Sequence, residues 1–147
     1  MSYKGKYKPI NKDRYHGDIT NVIYRSLWER QLMKWLDNHN NVNWWTSEET
    51  VIPYISPIDN KIHRYFVDFT VSFNNGEIKL IEVKPSARLK KPTMKKRTRR
   101  TIIENIEYAK NSAKFEAAHS YAINKGWKFE VWTEHTLRSL GIMILEK

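Results

Sequence analysis

An Asn74-Asn75-Gly76 turn joins two apolar runs, one carrying Val67-Asp68-Phe69 and the other Glu82-Val83-Lys84, and it constrains this chain more than any other feature. Successive side chains of a strand point to opposite faces, so Glu82 and Lys84 share a face that Val83 does not. Register decides whether Asp68 joins them. A two-residue Asn75-Gly76 loop pairs Asp68 with Val83 and puts the acids on opposite faces. A three-residue loop of Asn74, Asn75 and Gly76, with Gly76 in the left-handed position of a bulged turn, pairs Asp68 with Glu82 and Phe66 with Lys84. The same register sets Val67 against Val83 and Phe69 against Ile81, a continuous apolar face for a core. The expected element is therefore a hairpin of Arg64–Phe73 and Glu77–Lys84 with two carboxylates and an ammonium gathered on one face.

The chain of 147 residues suits one domain with a core of its own. It has no cysteine, so disulfides and thiolate metal sites are excluded and any metal must take oxygen or imidazole ligands. Its five histidines, His16, His39, His63, His119 and His135, show no zinc spacing, and neither a Walker loop nor a dinucleotide fingerprint is present. No run approaches the roughly 20 apolar residues of a membrane span, and the first residues lack an apolar signal core, so a soluble, intracellular protein is expected. The formal charge of +10 favours a polyanionic partner, with nucleic acid first.

Residues 1–18 interleave Lys4, Lys6, Lys8, Lys12 and Arg14 with Tyr3, Tyr7 and Tyr15, which reads as a basic arm ahead of a domain spanning 19–147. From about Thr20 to Asn38, Ile23, Leu27, Leu32, Met33, Trp35 and Leu36 recur at helical spacing. Glu29 falls inside that apolar stripe. Either Ser26-Leu27-Trp28-Glu29 is a capping box at a helix start, or Glu29 points into a site as a ligand; a start at Asp18 or Thr20 favours the second. Short strands follow at Val42–Trp45 and Thr50–Ile55, with Pro53 marking an edge, and then a turn over Ser56–Lys61. A long helix is expected from Thr101 to Lys125, ending at Gly126, then a strand over Trp127–Trp132, a short helix over Glu134–Leu140 and a last strand over Ile142–Leu145. This order makes an α/β sandwich whose long helix crosses over to a parallel strand.

Between the hairpin and the long helix, eight of 13 residues are basic: Arg88, Lys90, Lys91, Lys95, Lys96, Arg97, Arg99 and Arg100. Self-repulsion and Pro92 make residues 86–100 a loop, and its place after the acidic strand makes it a DNA-phosphate contact. Hydrolysing a phosphodiester calls for neutralised phosphate oxygens, a hydroxide near neutral pH and a stabilised leaving oxygen, all of which a divalent metal supplies. Asp68 and Glu82 offer the hard oxygens that Mg²⁺ or Mn²⁺ takes, with the backbone carbonyl of Val83 completing the set and Glu29 reaching a second ion or a metal-bound water. Lys84 orients water or steadies phosphate charge, since adjacent carboxylates oppose its use as a base. Glu48 and Glu49 beside a turn are further candidates. The plain alternative is a cross-strand salt bridge among Asp68, Glu82 and Lys84.

Glu29 in a helix, Asp68 closing Arg64-Tyr65-Phe66-Val67-Asp68-Phe69, and Glu82-Val83-Lys84-Pro85 together resemble the PD-(D/E)XK nuclease superfamily. The likeness spans about residues 20–135 and is nearest to TnsA-type transposon endonuclease domains and the head completion nucleases of T-even-like phages, helped by Trp45-Thr46-Ser47-Glu48-Glu49 and Pro53-Tyr54. Val67 stands where the superfamily name has proline. The resemblance implies a restriction-endonuclease-like core with a mixed central β-sheet flanked by helices. It further implies Mg²⁺-dependent DNA cleavage with Glu29, Asp68, Glu82 and Lys84 as catalytic positions. A role at the phage head during virion assembly, in the host cytoplasm or with the virion and against head or portal proteins, comes from the resemblance alone. The extra C-terminal domain of the transposon enzyme is not matched, so a transposase role is not expected. The competing class is a non-catalytic DNA-binding component of the head; an RNA-binding module lacks the aromatic motif it would need.

Overall fold

The computed structural model describes residues 4–93 and 97–142. Strand β1 (Gly5–Lys6) pairs antiparallel with β2 (Ile23–Tyr24), and helix α1 (Leu27–Asn38) follows. Then come β3 (Val42–Ser47), β4 (Val51–Ile55), β5 (Ile62–Phe66), β6 (Phe69–Phe73) and β7 (Ile78–Val83), and after them α2 (Arg99–Lys125), β8 (Lys128–Trp132) and α3 (Glu134–Ser139). The central sheet has the order β3-β6-β7-β8 and is mixed: β3, β6 and β7 run antiparallel, while β8 lies parallel to β7. A parallel neighbour cannot be reached by a tight turn, and α2 is the crossover. Helices flank this mixed sheet in a restriction-endonuclease-like arrangement. No helix among the described residues is long and apolar enough to cross a membrane.

The expected three-residue loop is present. Phe73 and Glu77 close it, Gly76 adopts φ 91°, and the ladder pairs Phe69 with Ile81 and Thr70 with Leu80. Only glycine takes that backbone conformation without a steric penalty. The long first strand, however, is two. The chain leaves the ladder at Val67-Asp68, so that β5 pairs with β4 in a separate two-stranded sheet and Phe66 stands opposite Val51 rather than Lys84. The two ladders stay joined there, because Val67 N–H donates to the Thr50 carbonyl and the Thr50 and Thr70 hydroxyls lie 2.6 Å apart.

Two apolar clusters cover the faces. Leu32, Met33 and Leu36 of α1 pack with Trp45, Phe69, Val71 and Ile81, whereas Ala118 and Ala122 of α2 pack with Ile52, Tyr54, Tyr65, Val67 and Leu80. Pro53 sits on the two-stranded edge, where its missing N–H costs no ladder bond. Helix α2 ends at Gly126 in the left-handed conformation, φ 75°, as its sequence signals.

Three expectations need correction. Helix α1 begins at Leu27 because Ser26 caps it, its hydroxyl accepting from Glu29 N–H; the preceding residues turn at Asp18–Thr20 and enter β2 instead. The basic N-terminal segment from residue 4 is no free arm. Asp37, fully buried, accepts from Tyr7 Oη, Ile10 N and Asn11 N, while Tyr15 is buried against Trp45. The segment 86–100 is not all loop: Ser86–Leu89 forms a 3-10 turn tied to Glu134, and Arg99 and Arg100 open α2, whose N-terminus Thr98 and Thr101 cap reciprocally. Lys95 and Lys96 lie outside the described residues, as does most of the strand expected over Ile142–Leu145. Ile142 itself is buried, with its N–H on the Leu137 carbonyl.

Candidate active site

Asp68 and Glu82 come together where β6 begins and β7 ends. The β6–β7 register, carried one residue past Phe69 and Ile81, sets the acids side by side, and Asp68 Oδ2 accepts from Val83 N–H at 2.8 Å. Glu82 Oε1 accepts from the Tyr65 hydroxyl, and its Oε2 lies 3.9 Å from Lys84 Nζ. Lys84 is held by its own backbone, which donates to the Trp132 carbonyl of β8, and only 9% of the residue is exposed. An exposed cross-strand ion pair has neither this burial nor these partners.

Electrostatics mark the pair as a destination for positive charge. Burial first, then the charges of Glu82 and Glu29, push the Asp68 carboxyl well above the usual carboxylate range, against the opposing Val83 N–H. Burial also raises Glu82, while the Tyr65 hydroxyl and then the cations Lys84, Lys114 and Arg88 pull it back. Glu29 is likewise raised by burial; its Oε1 accepts from Arg25 N–H at 2.9 Å. Ser26 caps the helix through Glu29 N–H, but the Glu29 carboxylate accepts from Arg25 N–H rather than Ser26 N–H, so the reciprocal box is not closed. Glu29 sits in the first turn of α1, its charge raises Asp68, and the charge of Glu82 in turn raises it.

Glu48 faces the same site and Glu49 does not. Glu48 donates its N–H to the Asp68 carbonyl, and its carboxylate takes a forked pair of bonds from Arg25 at 2.8 and 3.0 Å. It is held at φ 57°, a left-handed conformation that costs a non-glycine residue roughly 1–2 kcal/mol. Glu49 turns to the N-terminal segment, accepting from Tyr15 Oη and Asp18 N. Tyr15 Oη also accepts from Ser47 N–H, so the segment before α1 braces the stretch that carries Glu48.

The donor set suits a hard cation. Among the described residues no three Asp, Glu or His side chains form a ready cage, and Asp68 and Glu82 are the two carboxylates that meet at this site. That is the kind of partial set Mg²⁺ takes, since it keeps several of its waters. Beyond the site, Arg88, Lys90 and Lys91 line a groove with Tyr108 and Asn111 of α2, and Arg97, Arg99 and Arg100 are exposed next to it in sequence. Tyr65, Arg25 and Lys114 escaped the reading of the sequence. Tyr65 meets Glu82 only because β5 leaves the hairpin for another sheet, which no local pattern signals.

The family of TnsA-like endonuclease N-terminal domains matches residues 39–134, the stretch holding β3 to β8 with Asp68, Glu82 and Lys84. The chain belongs to the TnsA-like endonuclease family. This TnsA-like endonuclease is also similar over nearly its whole length to the head completion nuclease of Enterobacteria phage T4, with 36% identity over 146 residues that cover 96% of this chain and 97% of that protein. The likeness therefore extends to α1 and the N-terminal segment, outside the matched domain.

Proposed function

We propose that this TnsA-like endonuclease is a Mg²⁺- or Mn²⁺-dependent DNA endonuclease that acts as a phage head completion nuclease, with Asp68, Glu82 and the Val83 carbonyl as metal ligands. The observation that carries the reading is the meeting of Asp68, Glu82 and Lys84 at the end of β7, inside a chain similar throughout to a head completion nuclease. When bound, the cation supplies charge neutralisation and activation of water. Asp68 is fixed by Val83 N–H and Glu82 by Tyr65, so each acid has one oxygen pinned, and the second oxygen of Glu82 lies on the Lys84 side. Lys84 stands next to Glu82 where it steadies charge on the phosphate or orients the attacking water. Glu29 adds negative charge behind the pair and Arg25 limits it. The groove cations, with Lys95, Lys96, Arg97, Arg99 and Arg100, hold the DNA backbone.

Cleavage of plasmid DNA with Mg²⁺, and its loss in EDTA, tests the reading. Asp68→Ala should abolish cutting while DNA binding persists. Binding without any cutting by the unaltered protein would instead favour a DNA-binding component of the phage head.

A further inference from the structure

Both acids of the site are pinned through one oxygen, but by unlike means. Asp68 is held by a backbone N–H of its own hairpin, whereas Glu82 is held by a side chain that arrives from the other sheet. That side chain, Tyr65 of β5, is 4% exposed and packed among Ile52, Tyr54, Val67 and Leu80. The Lys114 ammonium of α2 lies 5.7 Å from the centre of its ring and 6.0 Å from that of Tyr54. The phenol is thus clamped between an apolar cluster and a cation, and its hydroxyl has little freedom to follow a moving carboxylate. A glutamate has one more rotatable bond than an aspartate, so it needs such an external hold more.

We propose that Tyr65 is a positioning residue for the cation: by bonding Glu82 Oε1 it presents Oε2, the oxygen on the Lys84 side, to a divalent ion shared with Asp68. The inference rests on the nuclease reading and goes beyond it by naming the residue that sets cation affinity. Partners that orient a ligating carboxylate typically govern metal affinity by 10–100-fold.

The test is Tyr65→Phe, which keeps the ring in its cluster and removes one oxygen. Mn²⁺ binding without DNA is read from the electron paramagnetic resonance signal of the free ion, for the unaltered protein, Tyr65→Phe and Asp68→Ala. The expected result is Mn²⁺ affinity lowered roughly 10–100-fold in Tyr65→Phe, with a melting temperature near that of the parent. Cleavage by the variant should recover as Mn²⁺ is raised, and KM for DNA should not move. Equal Mn²⁺ affinity in Tyr65→Phe and the parent, with binding lost in Asp68→Ala, would overturn the inference and leave the nuclease reading standing. A cleavage defect that saturating Mn²⁺ does not relieve would overturn it too. Failure of the unaltered protein to bind Mn²⁺ would overturn the metal-dependent reading and this inference with it.

Discussion

Replacing Asp37 with alanine probes whether the N-terminal segment belongs to the fold. The carboxylate is fully buried and accepts three hydrogen bonds, from Tyr7 Oη at 2.7 Å, Ile10 N at 2.7 Å and Asn11 N at 3.0 Å. Bonds to a charged partner are worth ~1.5–3 kcal/mol each, but the freed donors regain water at the segment's outer side, so the sum overstates the loss. Removing one partner from a buried charged network typically costs about 3–5 kcal/mol. For a chain of this size that lowers the melting temperature by roughly 6–20 °C, at about 2–4 °C per kcal/mol. Tyr7→Phe, which removes one bond of the three, should cost about 1 kcal/mol. The assay is thermal unfolding followed by circular dichroism, with limited proteolysis to show whether residues before α1 become cleavable. An Asp37→Ala protein melting within ~2 °C of the parent would refute the claim that the segment is anchored, the scale being that of a 0.5–1 kcal/mol effect.

Asp68→Asn should stabilise the metal-free protein at pH 7.5 while abolishing cleavage. The Asp68 carboxyl lies above its unfolded range, so its contribution to stability is full below that range and is lost as pH rises through the elevated value. The gain in melting temperature over the parent in EDTA should therefore shrink towards pH 4; a gain that does not change with pH would contradict the burial and repulsion assigned to this acid. Replacing Arg88, Lys90, Lys91 and Arg97 together with alanine should weaken DNA binding and flatten its salt dependence by up to about 0.9 in slope per phosphate contact removed. An unchanged slope in filter-binding or fluorescence titrations would exclude the groove from the interface.

Much of the central sheet was legible because its determinants are local. Gly76 in the turn fixes the loop length, the loop length fixes the register, and that register, continued one residue past the ladder and held by Val83 N–H, brings Asp68 to Glu82. The end of α2 was equally plain in Gly126. The start of α1 was misjudged because Ile23 continues the apolar period of the helix, although it belongs to β2, where pairing with Lys6 replaces helical bonds. Tertiary pairing overrode periodicity there, and Ser26 with Glu29 held the truer signal. The basic arm misled for a related reason. Lysines along one edge of a segment say nothing of Tyr7 and Tyr15, whose hydroxyls find partners 30 and 34 positions away. Arg25, Tyr65 and Lys114 were illegible at the site because each reaches it from a different element, and only assembled coordinates bring such contacts together.

The crossing of the chain from one sheet to the other at Val67-Asp68 divides what evolution is free to alter. The tip between β4 and β5, residues 56–61, is remote from the carboxylate along both strands, so lengthening or recolouring it leaves the aspartate where it is. A single inserted residue between Phe66 and Phe69 is another matter: one ladder or the other must slip a step, and a slip of one turns every side chain beyond it to the wrong surface. The hairpin tip can therefore change in length and composition without displacing the aspartate, while the two-residue bridge admits no change of length.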